Sequence, residues 1–290
     1  MINKLNINEN YYSWWKNIDK TILLLIISFF IAGLFFSLAS TSLIASDRLN
    51  TNSYYFFIKH LSFILVGLLI MFIFSLIKED YLIKISIFFF ILSFLLLLLV
   101  PFIGAEVKGS KRWLDLPVLP RFQPVELIKP FYIVFLAYLL NLKKYNLNVK
   151  YLLTIFLIFS IILLLISQPD IGQSILIILT WLTLIFVSGV NLFIFFGLFS
   201  FFILLLLYLI LFVKKFIYIK IRILSFFDNS SNNNFQSEKA SEAIIDGGFF
   251  GKGIGEGTLN SKIPEAHTDY IVSVISEEFG IVIILLIMIS

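Results

Sequence analysis

Three stretches of this chain gather residues able to do chemistry. The first, GSKRWLDLPVLPRFQPVELIK from Gly109 to Lys129, sets Lys111, Arg112 and Arg121 in a connecting segment, with Glu126 and Lys129 three residues apart at the start of an apolar run. Arg brings a planar fork of charge-assisted hydrogen bonds and Lys a point charge, so the group suits a diphosphate headgroup. Glu126 and Lys129 share a helix face at this spacing and can pair at membrane depth. The plainer reading is a solvated interfacial loop with a structural ion pair.

The second stretch is SQPDIGQS, Ser167 to Ser174, a tight turn between two apolar runs. Asp170 either caps the following helix, its carboxylate accepting orphan N–H groups, or helps to hold Mg²⁺ or Mn²⁺, which favour carboxylate oxygens. The third runs from Asp246 to Glu278, DGGFFGKGIGEGTLNSKIPEAHTDYIVSVISEE, and carries Lys252, Glu256, Lys262, Glu265, His267 and Asp269 up to the edge of an apolar run at Tyr270. Its alternating glycines have no strand before them and no helix directly after, so the dinucleotide-binding fingerprint does not apply. They read as a loop with unusual backbone angles, close to a ligand or the membrane surface. Asp269 stands where charge meets membrane, either as N-cap of the following helix with Thr268 as alternative, or as a general base. Glu277 falls two turns further along, as a buried partner or as part of the bundle lining.

The elements that must position these groups follow from composition. Of the residues, 60% are hydrophobic and 14% charged, and the mean hydropathy is +1.00. Ordinary globular domains are about half apolar and about a quarter charged, so this composition is that of a polytopic membrane protein. There is no cysteine, which removes disulfides, thiol catalysis and Cys-ligated zinc, and only two histidines, His60 and His267, which removes a site of several histidines. The first apolar run is long and lacks a small-residue cleavage site after it, so a cleaved signal peptide is not expected.

Runs of about 20 apolar residues cross roughly 30 Å of hydrocarbon as helix. They fall at Thr21–Ala45, Leu61–Ile77, Tyr81–Ile103, Val125–Asn141, Tyr151–Ser167, Ile171–Gly189 and Leu192–Val213, with an eighth from Tyr270 onward. Tyr11, Tyr12, Trp14 and Trp15 before the first run read as an interfacial belt on an amphipathic helix. The chain reads as one domain, residues 1–290, with a leader over 1–20 and two long connections, 104–124 and 214–269. Helix counting puts both connections on one face, which carries 14 of the 22 basic residues against 8 on the other. Charge alone leaves the orientation open, because the leader lysines favour the opposite sense.

In order and spacing, GSKRWLDL, RFQPVELIKP, QPDIGQS, RILSFFD, GGFFGKGIGEGT and PEAHTDYIVSVISEEFG resemble the SEDS proteins (shape, elongation, division and sporulation), from FSLASTS in the first run onward. Within the family, IPEAHTDYIVSVISEEFG and the EGT of the glycine loop are more similar to the division branch than to the elongation branch. The resemblance implies an all-α polytopic membrane protein, a SEDS-type helical bundle with about eight of about ten transmembrane helices inside this sequence. It places the long loops in the periplasm and the protein in the bacterial cytoplasmic (inner) membrane, at the division septum. The implied activity is that of a peptidoglycan glycosyltransferase polymerising lipid II, with undecaprenyl pyrophosphate leaving. Asp269 would be the catalytic base. Lys111, Arg112, Glu126, Lys129, Arg222, Lys252 and His267 would bind substrate, and Asp170 of the QPD motif would be the candidate metal residue.

A divalent cation, Mg²⁺ or Mn²⁺, is implied, with no organic cofactor and no nucleic-acid partner. The implied partners are a class B penicillin-binding transpeptidase, other division proteins and the membrane. Two departures from the family pattern are Asn229, where proline is common, and Tyr270 in the HTD block. The sequence stops at Ser290 while still apolar, and the expectation is a longer protein. Two readings from other classes remain beside the enzyme: a lipid II flippase using the same basic cavity, favoured by broken helices, and a non-catalytic scaffold for the transpeptidase.

Overall fold

The computed structural model describes residues 12, 14–38, 54–107, 110–117, 119–227, 235–259, 262–263 and 270–289. In chain order the elements are helices α1 (Lys20–Phe36), α2 (Tyr55–Ser75) and α3 (Glu79–Ile103), then strands β1 (Ala105–Val107), β2 (Ser110–Leu116) and β3 (Leu119–Phe122). Helices α4 (Pro124–Asn141), α5 (Leu147–Ser167), α6 (Ile171–Val187) and α7 (Leu192–Phe212) follow. After a 3-10 turn at Lys214–Phe216 come α8 (Ile217–Phe227), α9 (Phe235–Gly247), α10 (Ile271–Phe279) and α11 (Ile281–Ile289). Backbone polar groups in lipid must be satisfied within their own segment, which is why the apolar runs are helices. Among the described helices α2, α3, α4, α5 and α7 are long and apolar enough to span a membrane, and α1 and α6 are shorter apolar helices. The chain is a multi-pass membrane protein.

The contacts form two compact units, one of Ile77–Ile223 and one of Met1–Leu76 with Leu224–Ser290. In the unit of Ile77–Ile223, α4 buries Val125, Ile128, Tyr132 and Leu136, a stripe at helical spacing, together with Leu97 of α3, Ile158, Ile161 and Leu165 of α5, and Trp181 of α6. Ring stacking of Phe89 on Phe131, centroids 5.0 Å apart, ties α3 to α4. Lipid tails are as apolar as leucine, so close packing rather than removal from water holds these helices together.

The connection read from sequence as a plain loop at 104–124 is a three-stranded antiparallel sheet of order β1-β2-β3. Along β2 the exposed residues Lys111 and Asp115 alternate with Arg112 and the buried Leu114. A strand turns successive side chains to opposite faces, so burying Leu114 turns Arg112 inward too. Glu106 stands opposite Lys111 in the ladder.

In the other unit α1 packs on α2, and residues 14–17 are helical beside them. Trp14 donates from Nε1 to Ser75 Oγ at 3.0 Å and meets Phe72 edge-on at 5.3 Å. The connection expected at 214–269 holds α8 and α9, and α9 lies along α10. The eighth apolar run is not one helix: it breaks at Gly280, whose φ is +85°. Helix α10 has its N-cap at Tyr270, so the cap falls past Thr268 and Asp269, which themselves lie outside the described residues.

Candidate functional site

In the unit of Ile77–Ile223 the polar side chains form one connected path. Lys129 Nζ lies 2.6 Å from Glu126 Oε2 at the start of α4. The other oxygen, Oε1, accepts from Gln173 Nε2 at 2.8 Å. Gln173 belongs to the first turn of α6, and its backbone N–H donates to Asp170 Oδ1 at 3.4 Å, with Asp170 as the N-cap. Asp170 Oδ2 is 3.7 Å from Arg112 Nε. Arg112 in turn donates to the carbonyls of Gln168 at 3.3 Å and Pro169 at 2.5 Å. The path thus runs from α4 through α6 to β2.

The QPD turn is gripped from a second side by the segment after α7. Lys215 Nζ donates to Ser167 O at 2.5 Å and Tyr218 donates its hydroxyl proton to Pro169 O at 3.0 Å. Beside the turn is a cavity of about 250 Å³ whose lining includes Glu106, Ser110, Lys111, Gln168 and Lys215. The pairing of Glu126 with Lys129 expected from their spacing is present, and so is the capping role of Asp170. Gln173, Lys215 and Tyr218 were not singled out from sequence. Gln173 had a signal: it stands three residues after Asp170, the spacing of a capping box, although its side chain reaches Glu126 instead of the cap backbone. Arg121, expected with the cations, instead pairs with Asp115 at 2.5 Å on the exposed side.

The donor set at Asp170 does not fit a resident Mg²⁺ or Mn²⁺. Its carboxylate caps a helix beside a guanidinium, and a cation there would meet repulsion where it needs oxygen ligands. Among the described residues no three His, Asp or Glu side chains gather.

In the other unit the glycine-rich loop is bonded along the break between α10 and α11. Lys252 N–H donates to Glu277 O at 2.9 Å and Gly253 N–H to Glu278 O at 3.0 Å. Ile281 N–H donates to Gly248 O at 3.0 Å, and Val282 N–H to Phe249 O at 3.4 Å. Helix ends leave carbonyls and N–H groups orphaned, and here one loop satisfies both sets. Glycine is required for the approach: a Cβ at Gly251 would meet Glu278 O at 2.2 Å, and one at Gly247 would meet Ser276 O at 2.0 Å. The glycines expected to approach a ligand or the membrane surface approach a helix end. Lys252 Nζ is paired with Asp246. Glu277 is fully buried, with Oε1 accepting from Leu259 N–H at 2.9 Å. Arg222 lies in α8, and His267 and Asp269 lie outside the described residues.

The long apolar helices define a polytopic membrane protein. The family model for cell cycle proteins of the FtsW, RodA and SpoVE kind matches residues 19–290, and the chain belongs to that family. The protein named "Probable peptidoglycan glycosyltransferase FtsW" in Haemophilus influenzae is 30% identical over 293 residues, covering 97% of this chain and 74% of its own length. Its namesake in Coxiella burnetii is 31% identical over 281 residues, 93% of this chain and 73% of that one. Among solved structures, "Structural coordination of polymerization and crosslinking by a peptidoglycan synthase complex" superposes with a TM-score of 0.71 at 23% identity, covering 94% of this chain and 74% of that one. The Rod shape determining protein RodA of Thermus thermophilus gives 0.60 at 22% identity, covering 94% and 71%. At these identities the two structures show the fold.

Proposed function

We propose that the chain is a peptidoglycan glycosyltransferase of the division type, joining lipid II into glycan strands. The observation that carries the reading is the likeness, along 97% of the chain, to a relative named for that activity. In the proposed step the 4-hydroxyl of one sugar attacks the anomeric carbon of a second, lipid-linked sugar. The bond from that carbon to the diphosphate breaks, and undecaprenyl pyrophosphate departs with the bonding electrons. Asp269 takes the hydroxyl proton as general base. Lys111, Arg112, Lys129, Arg222, Lys252 and His267 are the proposed headgroup contacts, because fixed cationic donors stabilise the charge that grows on a leaving diphosphate. The polar path supports this assignment for two of them: Glu126 holds Lys129, and the QPD turn holds Arg112. A divalent cation, where the reaction uses one, would offset charge on the leaving diphosphate; Asp170 is not proposed to hold it.

The proposed setting is the inner membrane at the septum, with 104–124 and 214–269 periplasmic and a class B penicillin-binding transpeptidase and other division proteins as partners. A flippase would use broken helices whose freed ends face the cargo. The break at Gly280 has such ends, but the glycine loop already occupies them, which favours a structural break over a transport site. The test is polymerisation of lipid II by the purified protein with its transpeptidase, followed on a gel. Glycan ladders support the enzyme, whereas lipid II moved across a vesicle bilayer without polymer supports the flippase.

A further inference from the structure

We infer that Glu277 is a positioning residue for the catalytic segment, anchoring Leu259, ten residues before Asp269, to α10. The inference rests on the proposed role of Asp269 and concerns how that residue is held. Glu277 is fully buried, and among the described residues Oε1 has a partner, the backbone N–H of Leu259, while the buried Oε2 has none. A buried carboxylate with half its capacity unused is a poor choice for stability alone, since buried polar groups are costly unless bonded. What it does accomplish is to fix the main chain ten residues before Asp269.

That anchor has a second point four residues on. Ile263 is fully buried in a cluster with Ala243 of α9 and Val274 of α10, packed by Leu259 and Tyr270. Tyr270 is also the N-cap of α10. The described residues on either side of 264–269, Ile263 and Tyr270, thus both pack with Val274 of the same short helix. Glu277 lies at the far end of that helix, where Lys252 N–H also bonds its main-chain carbonyl at 2.9 Å. One residue thus joins the glycine loop, the segment before Asp269 and the helix after it. Reaction geometry is sensitive to such joints: a shift of about 1 Å from a remote change can cost about 10²-fold in rate.

Glu277→Gln keeps an oxygen that accepts from Leu259 N–H, while Glu277→Leu removes it. With purified protein and lipid II, Glu277→Leu is expected to lower kcat by about 10- to 100-fold with KM little changed, and Glu277→Gln to restore kcat to within about threefold of the parent. Should Glu277→Leu not fold, amide hydrogen exchange decides: the Leu259 amide is to be slow in the parent and in Glu277→Gln. A Leu259 amide that exchanges like an exposed one, or a folded Glu277→Leu with parental kcat, overturns the inference. A parallel Asp269→Asn arm separates the two layers: parental activity there removes the reading beneath, while an inactive Asp269→Asn beside a fully active Glu277→Leu removes this inference alone.

Discussion

Arg112 and Asp170 lie 3.7 Å apart from Nε to Oδ2, yet the shorter bonds of that guanidinium go to main-chain carbonyls, 3.3 Å to Gln168 and 2.5 Å to Pro169. The arginine therefore acts as a clamp on the QPD turn first and as an ion-pair partner second. A lysine has no fork with which to hold two carbonyls. Arg112→Lys should cost about 1.5 to 3 kcal/mol, the usual worth of hydrogen bonds to a charged group, seen as a lower thermal midpoint in detergent. Asp170→Asn, which keeps a good N-cap, should cost less. Equal midpoints for Arg112→Lys and the parent would show that the clamp does not bear on stability.

Glu126 and Lys129 should behave as a coupled pair. Their separation is 2.6 Å, but the Glu126 side chain is 52% exposed, so solvent screening limits the coupling to about 1 kcal/mol or less. Glu126→Gln and Lys129→Met should each reduce lipid II polymerisation, and the double change should reduce it by less than the sum. Strict additivity in the double-mutant cycle would mean that the contact carries no coupling.

The glycine loop offers an internal control. Gly248 has φ +57° and open space around its missing side chain, while Gly251 has φ +78° and the Glu278 carbonyl in the way. Gly248→Ala should cost about 1 to 2 kcal/mol from backbone conformation alone. Gly251→Ala adds an overpacking cost of about 1 to 3 kcal/mol. Similar losses of thermal stability in the two variants would contradict the close packing of loop against helix end.

Much of this was legible in the sequence, for identifiable reasons. The spanning helices announce themselves because lipid demands long apolar runs, and Leu192 and Ile171 begin helices where their runs begin. Glu126 with Lys129 follows from helix spacing. The sheet is not legible, because Lys111, Arg112 and the prolines Pro117, Pro120 and Pro124 make 104–124 look like solvated loop. Its signal was the alternation of Lys111 and Asp115 with Arg112 and Leu114, over too few residues to outweigh the charges. The partner of Glu277 was beyond reading: Leu259 is joined to it by a backbone N–H, which every residue but proline carries. Gly280 lies inside an apolar run, and only the loop bonded across it distinguishes a break from a tolerated glycine.

Sidedness is the next test. Single cysteines at Ser110 and Ser231 should both react with an impermeant maleimide in spheroplasts, since helix counting puts the two long connections on one face and the proposal makes that face periplasmic. Labelling at one position but not the other would break the helix count.

The most direct measurement is lipid II polymerisation by Asp269→Asn, reconstituted with its transpeptidase beside the parent. Asparagine keeps nearly the size and shape of the side chain while removing the base. General-base contributions run at about 10² to 10⁴ in rate, so glycan strands should fall to near background with protein level and lipid II binding retained. Glycan strands made by Asp269→Asn at the parental rate would contradict the account.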